Sequence, residues 1–91
     1  MTKRELVEIV SKKAHLTRKA AREAVNVFLD EIIKSLKRGE KILLSGFGTF
    51  KVVKVEDKSV VIPGTGERRT VRAHRAPRFI PGKPLKQTIR R

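Results

Sequence analysis

Apolar residues recur at helical spacing through the first forty positions and predict two helices. Thr2 and Glu5 stand three residues apart, the spacing of a capping box, at the start of the first helix. The apolar positions of this helix are Leu6, Val7, Val10 and Ala14. Thr17 is a second N-cap, and the longer helix that it starts runs to about Arg38, where Gly39 supplies a stop.

The second predicted helix has more apolar positions than a single buried stripe needs. They are Ala20, Ala21, Ala24, Val25, Val27, Phe28, Leu29, Ile32, Ile33 and Leu36. A surface helix with one buried face would leave several of them in water. We therefore expect this helix to pack on the first helix and on a further surface, for which a second copy of the chain is the simplest source. Asp30 and Glu31 in mid-helix argue against a helix that lies on a membrane.

From Lys41 onward the pattern changes to short runs that predict strands. Two runs, around 42–44 and 50–53, are joined by a turn that contains Gly46 and Gly48. A third β segment is predicted from about Arg68 to Ile80, and Pro77 argues against a central place for it in the sheet. Three phenylalanines of this region are expected in the core: Phe47, Phe50 and Phe79. A short last helix follows, with Pro84 near its first position and with Leu85 and Ile89 as its apolar contacts.

The segment from Val55 to Arg72 is predicted to form an arm. Two strand-like runs flank Pro63-Gly64-Thr65-Gly66, and glycines on both sides of Thr65 permit a tight reversal. Neither run has a continuous apolar face, and an isolated two-stranded ribbon is only marginally stable in water. We therefore expect a projecting arm that becomes ordered on a partner, with Ile62 and Pro63 exposed at its tip.

The composition indicates the chemical nature of that partner. A chain of 91 residues with 38% hydrophobic content forms one small domain. If an arm projects from it, the remaining residues make a small core, and a small core favours oligomerisation. The formal net charge is +14, which points to a polyanion. Residues 1–50 hold 11 basic and 6 acidic residues and residues 51–91 hold 12 and 3, so the second half is the expected contact surface.

Several function classes find no support in the sequence. The chain has no cysteine, which excludes disulfides and thiolate metal sites, and His15 and His74 have no partners at metal-ligand spacing. The acidic residues have no nucleophile or pocket around them, so we expect no enzyme, no cofactor and no small-molecule substrate. A signal peptide and a run of transmembrane length are both lacking, which predicts an intracellular protein without a membrane partner.

Three stretches in register carry a resemblance to a known family. Lys41 to Val52 reads KILLSGFGTFKV and contains Gly-Phe-Gly-Thr-Phe, Pro63-x-Thr65-Gly66 follows, and Phe79 precedes Gly82-Lys83-x-Leu85-Lys86. Over essentially its whole length the chain resembles the bacterial HU and integration host factor family of DNA-bending proteins.

The resemblance implies an α+β fold and an intertwined dimer. Each chain would contribute two N-terminal helices, a three-stranded antiparallel sheet with a long protruding β-arm, and a short C-terminal helix. Residues 1–91 would form one domain, with a helical dimerisation base at 1–40, the sheet at 41–80 with its arm at about 55–72, and the last helix at 81–91. The partner chain would be a second copy, in a homodimer, or a paralogue, in a heterodimer.

The resemblance also implies the function and its residues. The dimer would bind and bend double-stranded DNA through the minor groove with weak sequence preference, shaping the nucleoid in a bacterial cytoplasm. In this family, established minor-groove binders, the arm-tip proline is a wedge between base pairs, so Pro63 would intercalate with help from Ile62. The remaining expected DNA contacts are Lys3, Gly46, Lys54, Lys58, Arg68, Arg69, Arg72, Arg75, Lys83 and Lys86.

The arm also departs from the family pattern. Val61 and Ile62 stand where an Arg-Asn pair is usual, Val60 where glycine is common, and Val55 where the outgoing strand is usually basic. This arm is therefore expected to rely more on apolar contact, with its charge moved to the return strand. Two alternatives stay open: a subunit of a sequence-selective complex like integration host factor, and a small ribosomal or other RNA-binding structural protein.

Overall fold

The structure is a computed structural model that describes residues 1–90, with the backbone alone for Lys58 and Val71. It divides into two compact units, Met1–Ser35 and Leu36–Arg91. The elements in chain order are α1 (Lys3–Lys13), α2 (Arg18–Lys37), β1 (Ile42–Leu44), β2 (Gly48–Val55), β3 (Lys58–Val61), β4 (Arg68–Val71), β5 (His74–Pro81) and α3 (Lys83–Ile89).

The helix starts and stops follow the sequence signals. The Thr2 hydroxyl oxygen accepts from the Glu5 amide at 3.2 Å, which confirms the first N-cap. In a full capping box the Glu5 carboxylate would accept from the Thr2 backbone amide. Here it accepts from the Thr2 hydroxyl instead, at 3.4 Å. The Thr17 hydroxyl oxygen accepts from the Ala20 amide at 3.1 Å, and α2 ends two residues before Gly39.

The helical unit has a very small core of its own. Among the described residues, the buried apolar side chains are Val7 of α1 and Ala21 of α2. The expected apolar surplus on α2 is confirmed, because Val27 is 60% exposed, Phe28 53% and Ile33 62%. Two buried residues do not stabilise a domain of this size, so the exposed apolar side chains of α2 need a further surface to pack against.

The sheet has the predicted antiparallel strands. Three of them pair in the order β1-β2-β5, and β3 and β4 form a separate two-stranded sheet. Pro77 lies on β5, at the edge, as predicted. The third β segment differs from the prediction, because Arg72 and Ala73 interrupt it and divide it into β4 and β5.

The aromatic cluster on the sheet explains the central motif. The Phe79 ring lies 5.3 Å from that of Phe47 and 4.7 Å from that of Phe50, between ring centroids. A Cβ on Gly48 would lie 2.7 Å from the Phe79 ring, so only glycine fits there. Phe47 is nevertheless 46% exposed and Phe79 39%, so the expected burial of these rings is incomplete within one chain.

The last helix is short and begins with Lys83 and Pro84, as the sequence predicts. Leu85 is half-buried, whereas Ile89 is 71% exposed, so its expected packing contact is missing within the chain. Of the helices in residues 1–90, none is long and apolar enough to cross a membrane.

Candidate nucleic-acid interface

The arm continues the hairpin formed by β2 and β5. Val55 pairs with His74 on the sheet side and Lys58 pairs with Val71 on the arm side. Two residues lie between these pairs on each strand, so the register is unchanged from sheet to arm. Residues 63–70 and 72–75 are all exposed. The predicted arm is therefore confirmed as one long hairpin whose outer part lies in solvent.

The tip is a closed loop from Ile62 to Glu67. The Ile62 amide donates to the Glu67 carbonyl at 2.8 Å, and the Gly66 amide donates to the Ile62 carbonyl at 3.1 Å. Gly64 and Gly66 have φ values of +96° and +71°, a left-handed backbone that explains glycine at both positions. Pro63 is exposed at this turn, as expected, whereas the expectation that Ile62 is exposed is wrong, because its side chain is half-buried. The loop thus presents a rigid apolar ring to solvent.

Arginine and valine stand opposite each other along the arm. Val61 pairs with Arg68, and Val60 pairs with Arg69. Directly opposed residues of an antiparallel pair have their side chains on the same face, and consecutive pairs alternate between faces. Each face of the arm therefore offers one valine beside one guanidinium. Val61 is 60% exposed, so the apolar part of this surface is accessible.

Two pairs of like charges lie opposite each other on β2 and β5, one near the arm and one in the middle of the ladder. Lys54 is opposite Arg75, and Lys51 is opposite Arg78. Like charges in directly opposed positions repel each other, which favours a site for an anion. Sequence analysis missed Lys51 and Arg78, because only the strand register brings them together.

These cations differ in what they already bind. An Arg75 guanidinium N–H donates to the Lys37 carbonyl at 3.1 Å, at the end of α2, and one from Arg78 donates to the Pro77 carbonyl at 3.1 Å. The ion pairs found among residues 1–90 are Arg18–Glu8 and Arg38–Glu40, each at 3.1 Å, so neither neutralises a cation of the arm. Among the described side chains of the arm, Arg68, Arg69 and Arg72 take part in neither of these ion pairs.

The other expected contacts lie in three places. Gly46 is exposed in the β1–β2 turn, and the Gly82 amide donates to the Phe47 carbonyl at 2.8 Å, which brings Lys83 near that turn. Lys86 is exposed on α3. In the helical unit, the Lys3 ammonium donates to the Asn26 amide oxygen at 2.9 Å, a neutral partner that leaves its charge unpaired. The side chain of Lys58 falls outside the described part of the chain.

The histidines lie apart from any metal-ligand group. His74 Nδ1 lies 2.7 Å from the Arg72 carbonyl oxygen and donates to it in the tautomer protonated at that nitrogen. Within residues 1–90, no three histidine, aspartate or glutamate side chains are placed to hold a metal ion. The geometry is that of a binding surface, made of cations and exposed apolar groups.

Comparison with known proteins identifies relatives along the whole chain. The family model described as "Bacterial DNA-binding protein" matches residues 1–90. The chain is 39% identical over 90 residues to DNA-binding protein HU of Haemophilus influenzae, covering 99% of this chain and 100% of the relative. It is 37% identical over 89 residues to DNA-binding protein HU-beta 2 of Neisseria meningitidis, covering 98% of each.

Solved structures agree with these relatives. The fold is similar to that in an Anabaena HU–DNA cocrystal structure, with a TM-score of 0.89, 34% identity, and coverage of 98% of this chain and 97% of that one. It is also similar to HU from Thermotoga maritima, with a TM-score of 0.70, 31% identity and coverage of 98% of both chains.

Proposed function

The chain belongs to the family of bacterial DNA-binding proteins, and from that premise we propose that it binds and bends double-stranded DNA as a non-enzymatic architectural protein. The observation that carries the proposal is the arm, a hairpin in unchanged register from the sheet to an exposed proline, with arginines along its return strand. Such an arm reaches a groove and holds its phosphate walls at the same time.

The protein acts as a dimer, in which a second copy covers the apolar face of α2. Val27, Phe28 and Ile33 are exposed on different sides of α2, and the buried apolar side chains among the described residues are Val7 and Ala21 alone, which supports association. Residues 1–40 would be the dimerisation base, 41–80 the sheet with its arm, and 81–91 the last helix, all within one domain. Two-fold symmetry then provides two arms for one duplex. A paralogous chain with the same apolar face would give a heterodimer instead.

The arm tip bends the duplex by entering the minor groove. Pro63 unstacks a base step, with Ile62 beside it, which is the established mode of this family and costs a few kcal/mol for each step. Bending a site of 20–30 base pairs costs about 1–6 kcal/mol more. Phosphate contacts from the return strand offset these terms, through Arg68, Arg69 and Arg72. The contacts reach mostly the sugar-phosphate backbone, so sequence preference is weak.

Further phosphate contacts extend this surface towards the body of the protein. The residues proposed for them are Lys3, Gly46, Lys54, Lys58, Arg75, Lys83 and Lys86. The net charge of +14 supports binding that falls steeply as salt rises. Such a protein would act on the bacterial nucleoid, in the cytoplasm.

Arginines with and without a contact inside the protein should differ in the salt dependence of binding. Arg69→Ala should reduce the magnitude of the negative slope of log K against log salt by about 2, because the homodimer loses one phosphate contact from each of its two arms. Arg75→Ala should lower it less, because Arg75 already donates to the Lys37 carbonyl. Titrations of a labelled duplex at several salt concentrations measure both slopes. Equal slopes for the two variants would contradict the separate roles.

Competition between DNA and RNA duplexes of one sequence tests the proposed function. Double-stranded DNA should displace a labelled DNA duplex at much lower concentration than double-stranded RNA, because A-form geometry presents a wide, shallow minor groove that does not suit the arm. The matched control is a DNA duplex with a nick, which should compete better than either because it kinks easily. Equal competition by the RNA would favour a structural RNA-binding protein instead.

A further inference from the structure

The arm contains a gap in its backbone pairing that its register does not require. Strand pairing stops after Val55 and His74 and resumes at Lys58 and Val71. Glu56 and Asp57 lie in the gap on one strand, and Arg72 and Ala73 lie in it on the other. Both strands skip the same number of residues, so no bulge shifts the pairing. We call these four residues the arm root.

Side chains bridge the root where backbone bonds are missing. The Asp57 carboxylate accepts from the Ala73 amide on the opposite strand. Within the return strand, His74 Nδ1 lies within hydrogen-bond distance of the Arg72 carbonyl oxygen. Of the two, the Asp57 bond crosses between the strands.

A negative charge at this position is otherwise unfavourable. Lys54 and Arg75 lie just on the sheet side of the root, and Arg72 belongs to it. A carboxylate there repels the phosphates that these cations would attract. Its presence therefore needs a compensating role, and the bond to Ala73 is the role that the structure offers.

We propose that Asp57 is a positioning residue that fixes the direction of the arm, and that its hydrogen bond to Ala73 pre-organises the arm for DNA. The inference rests on the proposed function, because direction matters only if both arms must reach one duplex. Without the bond, the root samples more conformations and a smaller fraction of them suits binding. The apparent affinity falls in proportion to that fraction.

Three variants separate the hydrogen bond from the charge. Asp57→Asn removes the charge and keeps a side-chain oxygen that accepts from Ala73. Asp57→Ala removes both. Glu56→Ala is the matched control, because it removes the same charge from the neighbouring position, where no hydrogen bond is found among the described contacts. Each variant is titrated as full-length protein against a nicked DNA duplex at fixed salt.

The expected order of affinity identifies the role of the bond. Asp57→Asn and Glu56→Ala should bind as tightly as the wild type or more tightly, because each loses a repulsive charge. Asp57→Ala should bind about three- to tenfold more weakly than Glu56→Ala, the loss that one hydrogen bond of ordinary strength gives. If Asp57→Ala binds as tightly as Glu56→Ala, the carboxylate acts only through its charge and the proposal is wrong.

A second measurement on the free protein separates this proposal from the proposed function. The Ala73 amide proton should exchange with solvent more slowly in the wild type and in Asp57→Asn than in Asp57→Ala. If the wild type fails to bind the duplex while the exchange rates differ in this way, the proposed function fails and the bridge stands. Equal exchange rates in all three proteins would rule out the bridge whatever the DNA result.

Discussion

Ile33→Glu is expected to abolish the folded dimer and its cooperative thermal transition. In a single chain Ile33 is 62% exposed, so a lone molecule would tolerate a charge there with little change in stability. In the dimer the same side chain would be buried. Losing an isoleucine contact removes about 1.5–3 kcal/mol for each copy, and burial of an unpaired carboxylate adds to that. Domains of this size have only about 5–15 kcal/mol to lose.

Val61→Glu is the matched control for this substitution. Val61 is 60% exposed, almost the same as Ile33, but it belongs to the arm and not to the helix proposed as the interface. We expect this variant to keep the melting temperature and the dimer mass, measured by circular dichroism and light scattering. The two variants thus start from equal exposure and end with opposite outcomes. A stable monomeric Ile33→Glu protein would contradict the dimer.

The sequence predicts the elements well because each of them is fixed by local chemistry. Thr2 and Thr17 cap their helices with their own hydroxyl groups, which nothing distant has to place. Pro63 and the glycines after it determine a reversal through their own backbone preferences. Pro77 can lie only at an edge, since it has no amide hydrogen to donate to a central ladder.

Features that depend on strand register could not be predicted in this way. The opposition of Lys51 and Arg78 exists only once β2 and β5 are paired at a definite offset. The gap at the arm root and the Asp57–Ala73 bond depend on the same offset, which is why the sequence predicts one continuous segment from Arg68 to Ile80. His15 is a local exception: it follows α1 with φ of +58°, a conformation for which histidine gives little signal.

The sequence pattern also predicts more burial of apolar side chains than the single chain shows, for a physical reason. Periodicity identifies which residues are apolar on one face, but it does not say which chain covers that face. Phe47 and Ile89 were expected to be packed, and within one chain Phe47 is 46% exposed and Ile89 71%. The same sequence reasoning expected a second copy on α2, and a dimer would account for this exposure as well. The exposed apolar surface is thus the surface of one chain considered without its partner.

Pro63→Ala is expected to reduce DNA bending while the dimer and its melting temperature stay unchanged. Pro63 is exposed at the tip, and the hydrogen bonds that close the loop join Ile62 to Glu67 and Gly66, so none of them uses the proline side chain. Loss of the ring would remove the rigid apolar surface that we propose to separate two base pairs. Each wedge of this kind contributes a kink of about 20–90°, which sets the size of the expected change. Fluorescence transfer between the ends of a labelled duplex measures the bend.

The same fluorescence measurement on a duplex with a nick at the kinked step shows whether wedging causes the difference in bend angle between wild type and Pro63→Ala. A nick already lowers the energy of unstacking, so wild type and Pro63→Ala should bend the nicked duplex to similar angles and the intact one to different angles. Arg69→Ala provides the opposite pattern, because a lost phosphate contact weakens binding to both duplexes alike. If Pro63→Ala bends the intact duplex as the wild type does, the proline is a turn residue, and Val60, Val61 and Ile62 must supply whatever apolar contact the arm makes.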